Sequence, residues 1–121
     1  MQSAAAPAYA LSFAAGRVME TPSAETLADG MATRVPDPAA LDIIRRGASR
    51  ILTVSDDEVA AAIRAYWQDT HNLAEGAGAA PLAALAQEAP RMRGKRVGLV
   101  LCGGNIDLEL FRRWVLKGEV G

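Results

Sequence analysis

The single cysteine, Cys102, closes an aliphatic run and is followed at once by Gly103, Gly104 and Asn105. A cysteine becomes a nucleophile when a base activates it, and His71 is the one imidazole in the chain. Their spacing matches no nucleophile–base pattern, so Cys102 reads first as a small buried structural residue. The turn Cys102-Gly103-Gly104-Asn105 can also be asked whether it cradles a phosphate. It has neither a P-loop lysine nor GxGxxG spacing, so it reads as a tight strand-to-helix connection that uses glycine dihedrals. Asp56, Asp57 and Glu58 are possible cation ligands by type, but they fall together at one helix start, where capping accounts for them. Asp37 and Asp42 are ordinary helix-start and surface carboxylates. Glu75 is different, since it precedes "GAGAA" with almost no polar company. There it is either an N-cap or a carboxylate aimed into a site, and the spacing alone does not choose.

These residues need elements to position them. "KRVGLVLC" (95–102) places basic residues before a nearly unbroken aliphatic run, the pattern of a strand covered on both faces. "NIDLELFRRWVLKG" (105–118) then spaces Leu108, Phe111 and Val115 as one helical face, with Gly118 as its stop. Upstream, Ile51 to Val54 reads as a short strand. Ser55 with Glu58 forms a capping box, and Val59, Ile63 and Tyr66 or Trp67 mark the buried face of the helix that follows. "DPAALDIIRRG" (37–47) predicts an earlier helix, with Asp37 as N-cap, Pro38 at the first position and Gly47 just past the end. "GAGAAPLAALAQEAP" (76–90) predicts another, its small residues suited to close backbone approach. Pro81 is tolerable there only in the first turn.

The order is loop or strand, helix, strand, helix, helix, strand, helix, which is an α/β pattern without internal repeats. Two or three buried strands cannot cover all their own faces and edges, so the chain reads as a slice of a parallel-sheet domain.

Composition narrows the function classes. With 121 residues, 13 Lys+Arg against 14 Asp+Glu and arginines spread along the chain, there is no basic face for nucleic acid. One cysteine cannot make an internal disulfide, which fits a reducing cytoplasm. The alanine-rich start has no basic residue before Arg17 and is broken by Pro7, so no secretory leader is expected. No apolar run reaches membrane-spanning length.

Three stretches in order, "ETLADGMATRVP" (25–36), "VSDDEVAAAIRAYWQDTHNLAEGAGAAPLAAL" (54–85) and "GKRVGLVLCGGNIDLELF" (94–111), resemble the C-terminal third of the threonine and serine dehydratases. These are pyridoxal-phosphate enzymes of the tryptophan-synthase-β-like fold type II, and the likeness runs from about Pro7 to Val115. The resemblance implies that residues 1–121 form a partial three-layer α/β domain, the C-terminal portion of that fold, with no regulatory domain. It implies deamination of L-threonine or L-serine to a 2-oxo acid and ammonia in a complete enzyme. Within it Cys102 matches the serine or cysteine facing the cofactor's pyridine nitrogen, and Gly30 the glycine lying against the ring. Glu75 matches the acidic residue at the edge of the cofactor site, and Gly103 and Gly104 the turn that lets Cys102 point inward.

The chain also departs from the family. Lys95 and Lys117 are its only lysines and neither sits in the Ser-x-Lys-x-Arg-Gly motif of the Schiff-base lysine. The Ser-Ser-Gly-Asn-His loop and the glycine-rich phosphate loop are missing too. "AAAPAYA" (4–10) stands where some members hold a divalent cation, so no metal is expected. The expectation is one wall of a pyridoxal-phosphate site, not covalently anchored and inactive alone. Its partners would be an amino-acid substrate and either a complementary N-terminal piece or a second copy. Alternatives are part of a serine or hydroxyaspartate racemase or dehydratase, or a non-catalytic remnant serving as an interaction module.

Overall fold

A computed structural model describes residues 1–120. In chain order it contains β1 (Gln2–Ser3), α1 (Ala8–Ala15), a 3-10 turn (Asp29–Met31), α2 (Pro38–Gly47), β2 (Thr53–Val54) and α3 (Asp56–Ala65). A wide turn (Tyr66–Thr70) leads to α4 (Gly76–Met92), and α5 (Leu108–Phe111) runs on into wide helical turns (Arg112–Lys117). The domain is α/β, with a small parallel sheet. In it Gln2 pairs with Thr53 and Ser3 with Val54, and the Gln2 amide donates to the Leu52 carbonyl at 2.8 Å. No helix among the described residues is long and apolar enough to cross a membrane.

Local chemistry explains most boundaries. Asp37 Oδ1 accepts from the Ala40 amide at 2.8 Å and Pro38 occupies the first helical position, as expected for α2. Gly47 is the last helical residue rather than the one beyond it. At α3 the Ser55 hydroxyl accepts from the Glu58 amide at 3.2 Å, while the Ser55 amide donates to Glu58 Oε2 at 2.7 Å. This closes the expected capping box. Gly118 terminates the last helix with φ 72°, a left-handed conformation that glycine adopts without strain.

The core lies between α3 and α4. Val59, Ala60 and Ile63 are fully buried in one cluster with Ala79, Ala80 and Ala83. Trp114 and Val115 close it from the C-terminal helix, and the Arg64 guanidinium donates to the Trp114 carbonyl. Alanine on both facing helices lets their axes approach closely, with Ile63 and Trp114 filling the space beyond. Tyr66 packs against the core while Trp67 is half exposed, edge-on to Phe111 at 5.4 Å.

Four expectations need correction. Residues 95–102 join no ladder: Val97 is 42% and Val100 73% exposed. An aliphatic strand is buried only between neighbours, and a two-stranded sheet two residues long supplies none. Val97 and Leu99 instead border an apolar hollow of about 310 Å³ with Leu52, Leu85 and Met92. The segment after Ala6 is helical, although its alanine-rich sequence carries no amphipathic signal. There the buried Ser12 hydroxyl donates to the Ala8 carbonyl at 2.7 Å. Pro81 lies in the second turn of α4 and Pro90 near its end, so the helix runs through both. Each proline removes one amide donor, and burial of the alanine face against α3 offsets that loss. Leu108 is 81% exposed, and Trp114 rather than Leu108 shares the buried face with Val115.

Hydrogen bonds from Ser55 hold the Glu58 carboxyl below its ordinary pKa, helped by Gln87, whose amide donates to Oε1 at 2.9 Å. A carboxylate depressed on folding stabilises the native state above its unfolded pKa, and that stability is lost as pH falls through the folded value. Chemical denaturation should therefore show stability dropping at acidic pH, below about 4.5, with Glu58→Gln flattening the drop. Ser55→Ala should cost about 1 kcal/mol at neutral pH.

Candidate functional site

The start of α4 is where distant segments meet. Its N-cap position, Glu75, has extended backbone (φ −82°, ψ 171°), and its side chain makes no capping bond. The Glu75 amide instead donates to the Gly103 carbonyl at 3.0 Å, tying the helix start to the Gly103-Gly104 turn. The two strands of backbone touch with no side chains between them. A Cβ on Gly78 would lie 2.6 Å from the Gly103 oxygen, and one on Gly104 2.6 Å from the Leu73 oxygen. A Cβ on Gly103 would run into the Glu75 carboxylate. On the other flank, a Cβ on Gly76 would come 2.7 Å from that of Ala28, and one on Gly30 2.9 Å from that of Ala77.

These approaches enclose a cleft of about 500 Å³, bordered by Leu27, Gly30, Glu75, Gly76, Asn105 and Asp107 among others. Three carboxylates (Asp29, Glu75 and Asp107) line it, and no lysine, arginine or histidine does among the described residues. Asp107 is partly committed, since Oδ1 accepts from the Glu109 and Leu110 amides at 2.9 and 3.1 Å to cap α5. Glu75, left open between cap and site, therefore occupies the cap position while its carboxylate borders the cleft.

The remaining candidates distribute unevenly. Gly30 and Glu75 share the cleft, while Gly103 and Gly104 lie outside its lining, against Glu75, Gly78 and Leu73. Neither Gly103 nor Gly104 has positive φ, so this turn needs glycine for close approach and not for its dihedrals. Cys102 is exposed, contrary to its reading as a buried structural residue, and is not among the residues lining the cleft. His71 is exposed with φ 56°, and its Nδ1 lies 3.2 Å from the Trp67 carbonyl. Asn105, Asp107 and Leu27 line the cleft without having been singled out. Their only sequence signal was position next to a glycine turn or loop.

A planar group with a donor-bearing edge suits this cleft, whose three carboxylates can only accept hydrogen bonds when ionised. Gly30 leaves one face free of side chain, and Asn105 offers both a donor and an acceptor. A phosphate does not suit it, because the lining carries carboxylates and no cation.

Residues 1–103 match the family described as "Pyridoxal-phosphate dependent enzyme". The chain is 40% identical over 121 residues to an L-threonine ammonia-lyase of Geobacter sulfurreducens, covering 99% of this chain and 30% of that enzyme. It is 36% identical over 107 residues to an L-threo-3-hydroxyaspartate ammonia-lyase of Pseudomonas sp, covering 88% and 33%. A crystal structure of threonine deaminase from T.th. superposes with a TM-score of 0.81 at 33% identity, over 88% of this chain and 39% of that one. The chain thus spans about a third of the length of the curated relatives it matches.

The glycine contacts make opposite forecasts for two similar substitutions. Gly47→Ala, with nothing within 4 Å of the new Cβ, should stabilise by about 0.4–1 kcal/mol. Gly78→Ala gains the same helix propensity but forces backbone at Gly103 aside, and should destabilise by about 1–3 kcal/mol. Paired denaturation curves compare them.

Proposed function

The chain belongs to the pyridoxal-phosphate-dependent enzyme family, and on that premise we propose that it forms one wall of an ammonia-lyase site. The reaction is dehydration and deamination of L-threonine or L-serine to a 2-oxo acid and ammonia. The observation that carries this reading is the similarity to a threonine ammonia-lyase along nearly the whole chain. The cleft supports it, because the side-chain-free face at Gly30 and the edge at Glu75 and Asn105 accept a flat heteroaromatic ring.

When bound, pyridoxal phosphate supplies an electron sink for bonds broken at an amino acid's α-carbon. This chain's part is to shape and tune that site. Gly30 keeps the ring's face clear, and Gly103 and Gly104 hold the turn that bears Cys102. By resemblance, the Cys102 thiol serves the ring nitrogen; because Cys102 is exposed and outside the cleft lining in this chain, that role requires the Gly103-Gly104 turn to face the cofactor in a complete enzyme. A neutral thiol shares one hydrogen bond there but cannot hold a proton on that nitrogen as a carboxylate would. A ring held this way would be a weaker sink, suited to β-elimination.

The phosphate and the covalent anchor fall to residues outside this chain, because neither Lys95 nor Lys117 lines the cleft. The exposed Val97 and Val100 of the aliphatic stretch 97–101 support a partner at that edge, and we assign it to a complementary N-terminal piece. The hydroxyaspartate relative favours a second reading, in which the same wall serves a 3-hydroxyaspartate dehydratase. Product analysis with both amino acids in a complete enzyme separates the two.

The isolated chain should take up no stoichiometric borohydride-trapped pyridoxal phosphate and release no ammonia from threonine. A single adduct mapped to Lys95 or Lys117, together with ammonia, contradicts the proposal.

In a complete enzyme carrying this segment, Cys102→Ser should be nearly silent. Cys102→Ala should cost about 0.5–1.5 kcal/mol, the worth of one neutral hydrogen bond. Cys102→Asp should shift the cofactor's absorbance and move products from elimination towards racemisation or transamination. A folded Asp variant with unchanged spectrum and products removes Cys102 from the ring nitrogen.

A further inference from the structure

Asp56 stands at the first position of α3, away from the cleft lining, and its sequence position is explained by the helix dipole alone. The geometry gives it a second task. The Thr26 hydroxyl donates to Asp56 Oδ1 at 2.7 Å, and the Leu27 amide donates to Oδ2 at 3.1 Å. Thr26 Oγ1 in turn accepts from the Ala28 amide at 3.1 Å. Both carboxylate oxygens are thus committed to a segment about thirty residues earlier in the chain.

That segment leads directly into the cleft wall. Ala28 is 1% exposed and sits against Gly76, and Gly30 sits against Ala77. Between them the chain is wound into the 3-10 turn, with the Met31 amide donating to the Ala28 carbonyl at 2.8 Å and the Ala32 amide to Asp29 at 3.0 Å. These two bonds close one turn over Ala28 to Ala32, so the placement of Ala28 biases that of Gly30 within it.

We propose that Asp56 is a positioning residue: through the clamp on Thr26 and Leu27 it sets how closely Gly30 approaches the start of α4. That distance determines the width of the cleft. The significance of that width rests on the function proposed above, whereas the clamp itself is a property of this chain. Hydrogen bonds to an ionised acceptor are stronger than neutral ones, so two of them to one carboxylate hold the loop better than its own backbone bonds do. A carboxylate that served only to cap α3 would protect α3 and leave residues 25–31 indifferent.

Hydrogen–deuterium exchange on the full chain without cofactor distinguishes these roles, followed on peptides covering residues 25–31 and 56–65. Thr26→Val keeps the side chain's shape and removes the hydroxyl. It should speed exchange in 25–31 by about tenfold, the low end of what one hydrogen bond to a charged acceptor supports. Asp56→Ala should speed it by about tenfold to a hundredfold, with 56–65 changing by no more than about twofold. Thr26→Ser, which retains the hydroxyl, should restore protection. The proposal is overturned if residues 25–31 are unprotected in the unsubstituted chain. It is equally overturned if both segments lose protection together, or if Ser exchanges as fast as Val. No cofactor enters the measurement, so the clamp and the proposed function fail separately.

Discussion

A methyl group at Gly78 would sit 2.6 Å from the Gly103 oxygen, and one at Gly76 would sit 2.7 Å from the Ala28 Cβ. Two segments from opposite ends of the chain can reach the start of α4 only because hydrogens stand where side chains would otherwise be. Everything that shapes the cleft follows from this. The Glu75 amide meets the Gly103 carbonyl, Gly30 meets Ala77, and the Glu75 carboxylate packs against Gly103 instead of turning back to cap its own helix. Glycine costs helix stability at these positions, roughly 0.5–1 kcal/mol each relative to alanine. The cost is tolerable because α4 is long and its alanine face is buried against α3.

That burial has a consequence for the rest of the architecture. Alanine brings α3 and α4 close but contributes little apolar area per residue, so the core leans on a few large side chains, chiefly Ile63 and Trp114. Substantial apolar surface remains uncovered elsewhere, notably Val97, Val100, Leu108 and Leu116. Single exposed aliphatics are ordinary, but Val97 and Val100 stand exposed in one short segment whose Leu99 and Leu101 are only partly buried. The same segment carries the Cys102 turn, so the element that presents Cys102 is only partly enclosed by this chain.

Capping signals were legible because they are local. Asp37 with Pro38, Ser55 with Glu58, and Gly118 each satisfy backbone groups within a few residues of themselves, and each helix begins or ends where those residues place it. The family was legible for a related reason, since three separated motifs kept their order and intervals. The α1 helix was not legible: its alanines form no apolar stripe, and it is held by Ser12, bonded to the Ala8 carbonyl, and by Gln2, whose Oε1 accepts from the Tyr9 and Ala10 amides. The aliphatic pattern at 95–102 signalled a buried strand correctly as chemistry, but a strand requires partners that no stretch of these residues provides.

The sequence by itself determined the starts of α2 and α3, the α/β order, the family and the presence of a glycine-lined approach at residues 76–78, since all of these depend on residue type and short spacing. Only the tertiary structure decided that Glu75 faces a cleft, that Cys102 lies exposed outside its lining, and that Asp56 reaches across to Thr26 and Leu27. Those outcomes depend on which backbone segments come within hydrogen-bonding distance of one another. A carboxylate at a helix start looks the same in sequence whether it caps its own helix or is claimed by a loop folded against it, and only the packing of α4 between its two neighbours distinguishes the cases.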